Sequence, residues 1–398
     1  MYVFNNIIYR EVYDSIVKRD KSMLNYLIDF ALRHHFTGNI LKIYIAYVIC
    51  YNENPFSISC ENGGVMLGRH KLIIDDFKEF FDIYNDKFSD VENIDEVFDF
   101  QIIRHEEKYY DLEVSLVVIE FNKILENCKT PEEFYEASIK FYQTHGVGEF
   151  AFHKAFRITD EGDLIPVKNV LKVDINDIVG YEWQKERIIN NTKSFCDGED
   201  ANNVLIYGDA GTGKSTTIKA VLNMFFDKGL RMIEVYKHQL NDVANLIATF
   251  KKRHYKFIIY MDDLSFEEHE IEYKHLKSII EGGLEAKPQN VVVYATSNRR
   301  HLISESTAVN LGSDIHRNET SAEKLSLANR FGLQIIFSSL SPIEFKNIVR
   351  ELAKRNKINI PEEKLFIMAN AWQLHYGNLS GRTAEQFIKY LKNGGEEI

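Results

Sequence analysis

The sequence predicts an α/β protein: a mostly α-helical N-terminal domain, then a five-stranded parallel sheet with helices on both faces, then a small α-helical C-terminal domain. Three observations carry this. Five short β-branched runs alternate with amphipathic stretches between 203 and 337. Apolar residues recur at three-and-four spacing through most of 1–145. The first β-branched run breaks into a glycine-rich stretch, "GDAGTGKS", that opens a helix.

The elements follow in order. "SMLNYLIDFALRHH" (22–35), "RHKLIIDDFKEFFDIYN" (69–85) and "DLEVSLVVIEFNKILENC" (111–128) each place an apolar stripe on one helical face. "IYIAYVICY" (43–51) is apolar all round but about half the length a membrane helix needs, so it predicts a buried helix. "TPEEFYEASIKFYQTHG" has Thr130 as N-cap, Pro131 at the first helical position and Glu133 to close a capping box. "FRITDEGDLIPVKNVLKV" reads as a connector. The strands are then "NVLIY" (203–207), "RMIEV" (231–235), "KFIIYM" (256–261), "VVVYA" (291–295) and "LQIIF" (333–337). Ser341, Pro342 and Glu344 start the terminal helices with a second capping box. The expected domains are 1–150, a connector at 151–174, an α/β core at 175–340 and a helical lid at 341–398.

Composition bounds the function. A chain of 398 residues with 45% hydrophobic and 27% charged residues is globular and long enough for two or three units. Residues 1–150 hold 15 of the 48 basic and 26 of the 59 acidic residues, leaving 33 of each for the remainder. That acidic region disfavours broad phosphate-backbone binding, which rests on Lys and Arg. Cys50, Cys60, Cys128 and Cys196 lie far apart without a CxxC pair, which predicts a reducing, cytoplasmic setting. The start lacks a signal-peptide pattern and no stretch predicts a membrane span. His34, His35, His105 and His145 have no acidic partners at metal-binding spacing.

The chemistry sits in 208–216. Gly208-Asp209-Ala210-Gly211-Thr212-Gly213-Lys214-Ser215 satisfies G-x-x-x-x-G-K-[ST] between a strand and a helix, with Thr216 following. Glycines let backbone N–H groups turn toward phosphate oxygens, and the helix N-terminus adds partial positive charge. Lys214 suits the β- and γ-phosphates and Ser215 a magnesium ion. The strand "KFIIYMDD" ends in Asp262, suited to magnesium, and Asp263, suited to polarising an attacking water. Mg²⁺ and a nucleoside triphosphate are thus the expected cofactors.

Glycine loop, acidic strand end, Asn298 closing the next strand, Arg330 in "SLANRFG" and Arg382 in "SGRTAEQF" stand in the order of the AAA+ ATPase superfamily. Within it, "INDIVGYEWQKERI", "NNVLIYGDAGTGKS", "MDDLSFEEHEIEYKHLKSIIEGGLEAKPQNVVVYATSNRRHL" and "KLSLANRFGL" resemble the prokaryotic domain of unknown function 815. The resemblance runs from about 175 to the C-terminus and implies a P-loop AAA+ core with a lid, binding ATP. It also implies that Val179 and Gly180 line an adenine site and that Asn298 orients water near the γ-phosphate. Arg330 would be an arginine finger presented to a neighbouring subunit, hence a homo-oligomer, and Arg382 would bear on the nucleotide from the lid. One departure is the Asp-Asp pair where Asp-Glu is common. Asp263 reaches about 1.5 Å less far than glutamate, which implies slow hydrolysis unless Glu267 or Glu268 compensates.

"NLSGRT" (378–383) is like the ABC-transporter signature, but it follows the acidic strand instead of preceding it, and the order excludes it. "YKHQLNDVANLI" lacks the aromatic-hydrophobic-glycine pore loop of threading unfoldases, with Tyr236 and Lys237 a weak substitute. The expected function is ATP hydrolysis by an oligomer that remodels or assembles a protein partner, with the N-terminal domain as adaptor. The alternatives are an ATP-dependent nucleic-acid-associated switch of the initiator or helicase-loader kind, using "KKRHYK" (251–256) and "NRRH" (298–301), or a protein that binds ATP with little hydrolysis. Nucleic acid is not favoured, because no DNA-binding motif is visible.

Overall fold

The structure is a computed structural model and describes residues 2–64, 70–102, 112–266, 272–281, 288–298, 302 and 327–395. Glu267, Glu268 and most of the basic stretch at 298–301 fall outside these. The chain divides into two compact units, Met1–His153 and Lys154–Ile398.

The first unit is helical around an aromatic-rich core. Its helix Ile40–Tyr51 is buried at every position but Lys42, which accounts for a sequence apolar all round. The Asp76 carboxylate, itself buried, accepts three backbone N–H bonds from Tyr2, Val3 and Phe4 at 2.6, 2.6 and 3.0 Å. The helix Pro131–His145 starts at Thr130, whose hydroxyl accepts from the Glu133 N–H at 3.2 Å. The reciprocal half of the expected box is displaced by one residue: Glu133 accepts from the Lys129 N–H at 2.6 Å, not from Thr130. Among the described residues no helix is long and apolar enough to cross a membrane.

The second unit is built on a sheet of seven strands, not five. In chain order these are β1 (Ala155–Ile158), β2 (Leu164–Pro166), β3 (Val204–Gly208), β4 (Leu230–Glu234), β5 (Lys256–Met261), β6 (Val291–Ser297) and β7 (Leu333–Phe337). Their order across the sheet is β2-β1-β4-β5-β6-β3-β7. The five expected strands run parallel, and β1 joins them parallel to β4. The edge strand β2 pairs antiparallel with β1, so the sheet is mixed. Both added strands come from the stretch read as a connector. They are four and three residues long, too short for alternation to register, and they are specified by pairing, β1 to β4 and β2 to β1, rather than by their own pattern. The turn between them shows in the sequence only as Gly162, at φ 88°.

Both sheet faces are covered. Ile218, Val221 and Phe225 of the helix Lys214–Phe225 pack with Ile258 and Tyr260 in one cluster. On the opposite face Phe250, ending the helix Leu240–Phe250, stacks on Phe257 of β5 at 4.3 Å. All seven β6 residues are buried, which explains a run without alternation. After β7 come the helices Pro342–Arg355, Glu362–Tyr376 and Gly381–Lys392, packed around Phe345, Ile348, Val349, Met368 and Phe387. The first begins with the full capping box of Ser341 and Glu344.

Candidate functional site: the glycine loop and its neighbours

The site forms where the parallel strands end. β3 lies between β6 and β7, so its loop meets residues from both. Gly208 approaches β7 so closely that a Cβ there would fall 2.0 Å from the Phe337 carbonyl oxygen, and its φ is 139°. Only glycine fits such a close backbone approach. Gly211 and Gly213 hold φ of 78° and 92° and turn the chain into the helix. Asp209 points away from the loop interior: its carboxylate accepts from the Ser339 N–H at 2.8 Å and the Ser339 hydroxyl at 2.5 Å. Those bonds hold its carboxyl below the ordinary range. The Thr212 hydroxyl ties back to the Asp209 carbonyl at 2.8 Å, while Ala210 is exposed at the tip.

Lys214 is buried within this loop. Its Nζ donates to the Gly208 and Asp209 carbonyls, each at 2.7 Å, and to Asn298 Oδ1 at 3.0 Å. Burial lowers the ammonium pKa, against the pull of Asp263, Asp209 and Asp262. Asn298 also donates from Nδ2 to Asp263 Oδ1 at 2.6 Å, so it links the lysine to the second carboxylate.

The two adjacent aspartates serve different neighbours because Asp263 takes a left-handed φ of 51°. Such a conformation in a residue other than glycine is costly and persists where its surroundings fix it. Asp262 Oδ1 accepts from Ser215 Oγ at 2.7 Å and from Thr296 Oγ1 at 2.5 Å. Partial burial pushes the Asp262 carboxyl up, but these bonds outweigh it and leave it below its ordinary range. Thr296 also accepts from the Asp263 N–H at 2.9 Å. This residue was not anticipated from sequence, although the signal was present: it stands two before Asn298 in a strand, a spacing that puts both side chains on one face.

The chemistry of this set suits magnesium. Ser215 and Asp262 offer oxygen only, and the Tyr260 hydroxyl is buried beside Asp262. Hard divalent cations take oxygen ligands, and magnesium typically uses one or two protein groups, completing its shell with phosphate and water. Among the described residues no group of three or more His, Cys, Asp or Glu is arranged to hold a metal on its own.

Val179 lies in the loop before the helix Glu182–Cys196 and lines a cleft with Gly211, Gly213, Thr216, Ile348 and Arg382; Gly180 beside it is not among the lining residues and faces Ile348, with a Cβ there 3.4 Å from its side chain. The Arg382 N–H bonds the Gly211 carbonyl at 3.2 Å, which sets the start of the last helix against the glycine loop. Three unanticipated residues hold the 176–181 loop. Lys185 Nζ donates to the Ile178 carbonyl at 2.6 Å, Arg355 donates to the Asn176 and Asp177 carbonyls at 2.9 and 3.0 Å, and the Tyr181 hydroxyl bonds the Ser338 carbonyl at 2.7 Å. Nothing local marks Lys185 or Arg355 among the many charged residues of their helices. Arg330 stands apart, three residues before β7 begins and ion-paired with Glu281 at the end of the helix Glu272–Glu281. Leu333 registers with Val204, at the opposite end of β3 from Gly208.

A mixed, helix-covered sheet, a glycine loop opening a helix, an amide at the end of the neighbouring strand β6, paired acids at the end of β5 beyond it and three C-terminal helices define a P-loop protein resembling the AAA+ ATPases. The family model described as "Protein of unknown function (DUF815)" matches residues 151–395, and the chain belongs to that family. It matches no curated protein. Among solved structures, a RuvB variant from Thermotoga maritima shares 16% identity with a TM-score of 0.38, over 55% of this chain and 64% of that one. Another, described as the Thermotoga maritima RuvB Holliday junction branch migration motor, shares 14% identity with a TM-score of 0.34, over 56% of this chain and 74% of that one. The chain thus spans less than two thirds of the first of these relatives.

Proposed function

We propose that this protein binds ATP with Mg²⁺ and hydrolyses it as a homo-oligomer that remodels or assembles a protein partner. The observation that carries this is the connected set Ser215–Asp262–Thr296–Asp263–Asn298–Lys214, in which each member hydrogen-bonds to the next. Lys214 would exchange its bonds to loop carbonyls for phosphate oxygens, and the N–H groups of 210–216 would cradle the same phosphates, the Asp209 N–H being engaged by the Phe337 carbonyl at 3.1 Å. Ser215 and Asp262 would hold the magnesium ion, which when bound neutralises charge on the phosphates. Asp263, oriented by Asn298, would polarise the attacking water. Val179 and Gly180 would flank adenine, Arg382 would bear on the phosphates from the lid, and Arg330 would serve the site of a neighbouring subunit. Residues 1–150 would capture the partner, and the N-terminal acidity favours a protein there over nucleic acid.

The experiment is ATP turnover per chain across a range of protein concentrations, for the wild type, Lys214→Ala, Arg330→Ala and Arg330→Lys. Turnover that rises with concentration, vanishes in Lys214→Ala and collapses in both Arg330 variants supports a site shared between subunits. Arg330→Lys keeps a positive charge for Glu281 but loses the planar fork, so it separates a finger from a structural ion pair. Concentration-independent turnover would refute the shared site. A second reading, an ATP-binding switch with little hydrolysis, is favoured by one observation: Asp263 is the shorter acid and its carboxylate is held by Asn298 at 2.6 Å. Tight ATP binding without turnover would select it.

A further inference from the structure

We propose that Glu385 is a specificity-determining residue whose carboxylate accepts hydrogen bonds from the ribose hydroxyls of the bound nucleotide. This deepens the ATP reading above and rests on it. The helix Gly381–Lys392 starts against the glycine loop, with the Arg382 N–H on the Gly211 carbonyl at 3.2 Å. Val179 and Ile348 supply apolar lining to the same cleft, and a Cβ on Gly180 would lie 3.4 Å from Ile348. Phosphates belong beside the glycine loop and a base beside the apolar lining. Glu385 also lines the cleft. It stands three residues beyond Arg382 on the same helical face, about 4.5 Å further along the axis from the start of the helix at the glycine loop, the side of the phosphates on which a nucleotide carries its sugar.

Charge supports the assignment. The other acids around the cleft and loop are engaged: Asp177 has Arg355 at 3.7 Å, Asp209 has Ser339, Asp262 has Ser215 and Thr296, and Asp263 has Asn298. Among the described residues no hydrogen bond or ion pair engages the Glu385 carboxylate. Burial raises its pKa while the Arg382 charge pulls it down. The side chain is nonetheless solvent-exposed in the free chain, so a polyanionic ligand that displaces its water is opposed by its charge unless the group it faces donates to it. The 2′ and 3′ hydroxyls are such donors, and an ionised carboxylate can accept from both.

The test is calorimetric binding of ATP, 2′,3′-dideoxyATP and GTP to the wild-type chain, Glu385→Gln and Glu385→Ala, with circular dichroism confirming that the variants fold. The wild type is expected to bind ATP about tenfold more tightly than the dideoxy analogue, the scale of a charge-assisted hydrogen bond. In Glu385→Ala that ratio should fall to about one, and Glu385→Gln, still an acceptor, should lie between. A ratio unchanged by Glu385→Ala overturns the proposal while leaving ATP binding intact. A changed ATP-to-GTP preference with an unchanged sugar ratio also overturns it and places Glu385 at the base. Failure of the wild type to bind any of the three overturns the ATP reading itself.

Discussion

Thr296→Val removes one hydroxyl and almost no volume from a position only 1% exposed. Two bonds go with it: the 2.5 Å donation to Asp262 and the acceptance from the Asp263 N–H at 2.9 Å. A hydrogen bond to a charged acceptor contributes about 1.5–3 kcal/mol, and an amide left without a partner costs about 1–3 kcal/mol. Both aspartates reach solvent, so water recovers part of this, and a net loss of about 2 kcal/mol is expected. In a unit the size of Lys154–Ile398 that lowers Tm by about 4–8 °C, read by calorimetry on the full chain. Thr296→Ser, which keeps the hydroxyl, should recover most of the loss. The pH dependence has a definite sign. The Asp262 carboxyl is held below its ordinary range, so its contribution is fully present above the unfolded value, about 3.9, and is lost as pH falls through the folded one. The gap between wild type and Thr296→Val should therefore narrow below about pH 4. A Tm within 1 °C of wild type at pH 7, or a gap that widens in acid, would refute the role given to this hydroxyl.

Two further substitutions probe the frame of the site. Gly208→Ala places a Cβ 2.0 Å from the Phe337 carbonyl oxygen at φ 139°, whereas Gly229→Ala, at φ 84°, meets nothing within 4 Å. The first should cost more than about 3 kcal/mol and the second about 1–2 kcal/mol, compared by denaturant unfolding; equal losses would show that the close approach to β7 is unimportant. Ser341→Ala removes the N-cap of the helix Pro342–Arg355 and should cost about 1 kcal/mol. It is read as faster amide exchange at Glu344, whose N–H the Ser341 hydroxyl accepts at 3.3 Å.

Local chemistry was legible before any coordinates. The glycine loop and acidic strand end can be found in a linear string because their spacing is fixed by one turn and one strand. The five long strands were equally plain as β-branched runs, four of them largely buried on both faces and the edge strand β7 alternating, with Gln334 and Ile336 exposed. β1 and β2 were not, since three or four residues carry no period and the pairing of β1 to β4, on which β2 in turn depends, is a contact across more than seventy positions.

The sequence by itself thus determined the class of fold and singled out Lys214, Ser215, Asp262 and Asp263, whose spacing follows from one turn and one strand end; Asn298 was singled out by the resemblance to the AAA+ order of motifs. Only the tertiary structure decided that Thr296 joins both aspartates, that Asp209 turns to Ser339, and that Lys185 and Arg355 grip the 176–181 loop. These are ordinary polar residues in ordinary elements. Their importance comes from what the strand order and the lid bring within 3 Å, and that proximity is written in no local spacing.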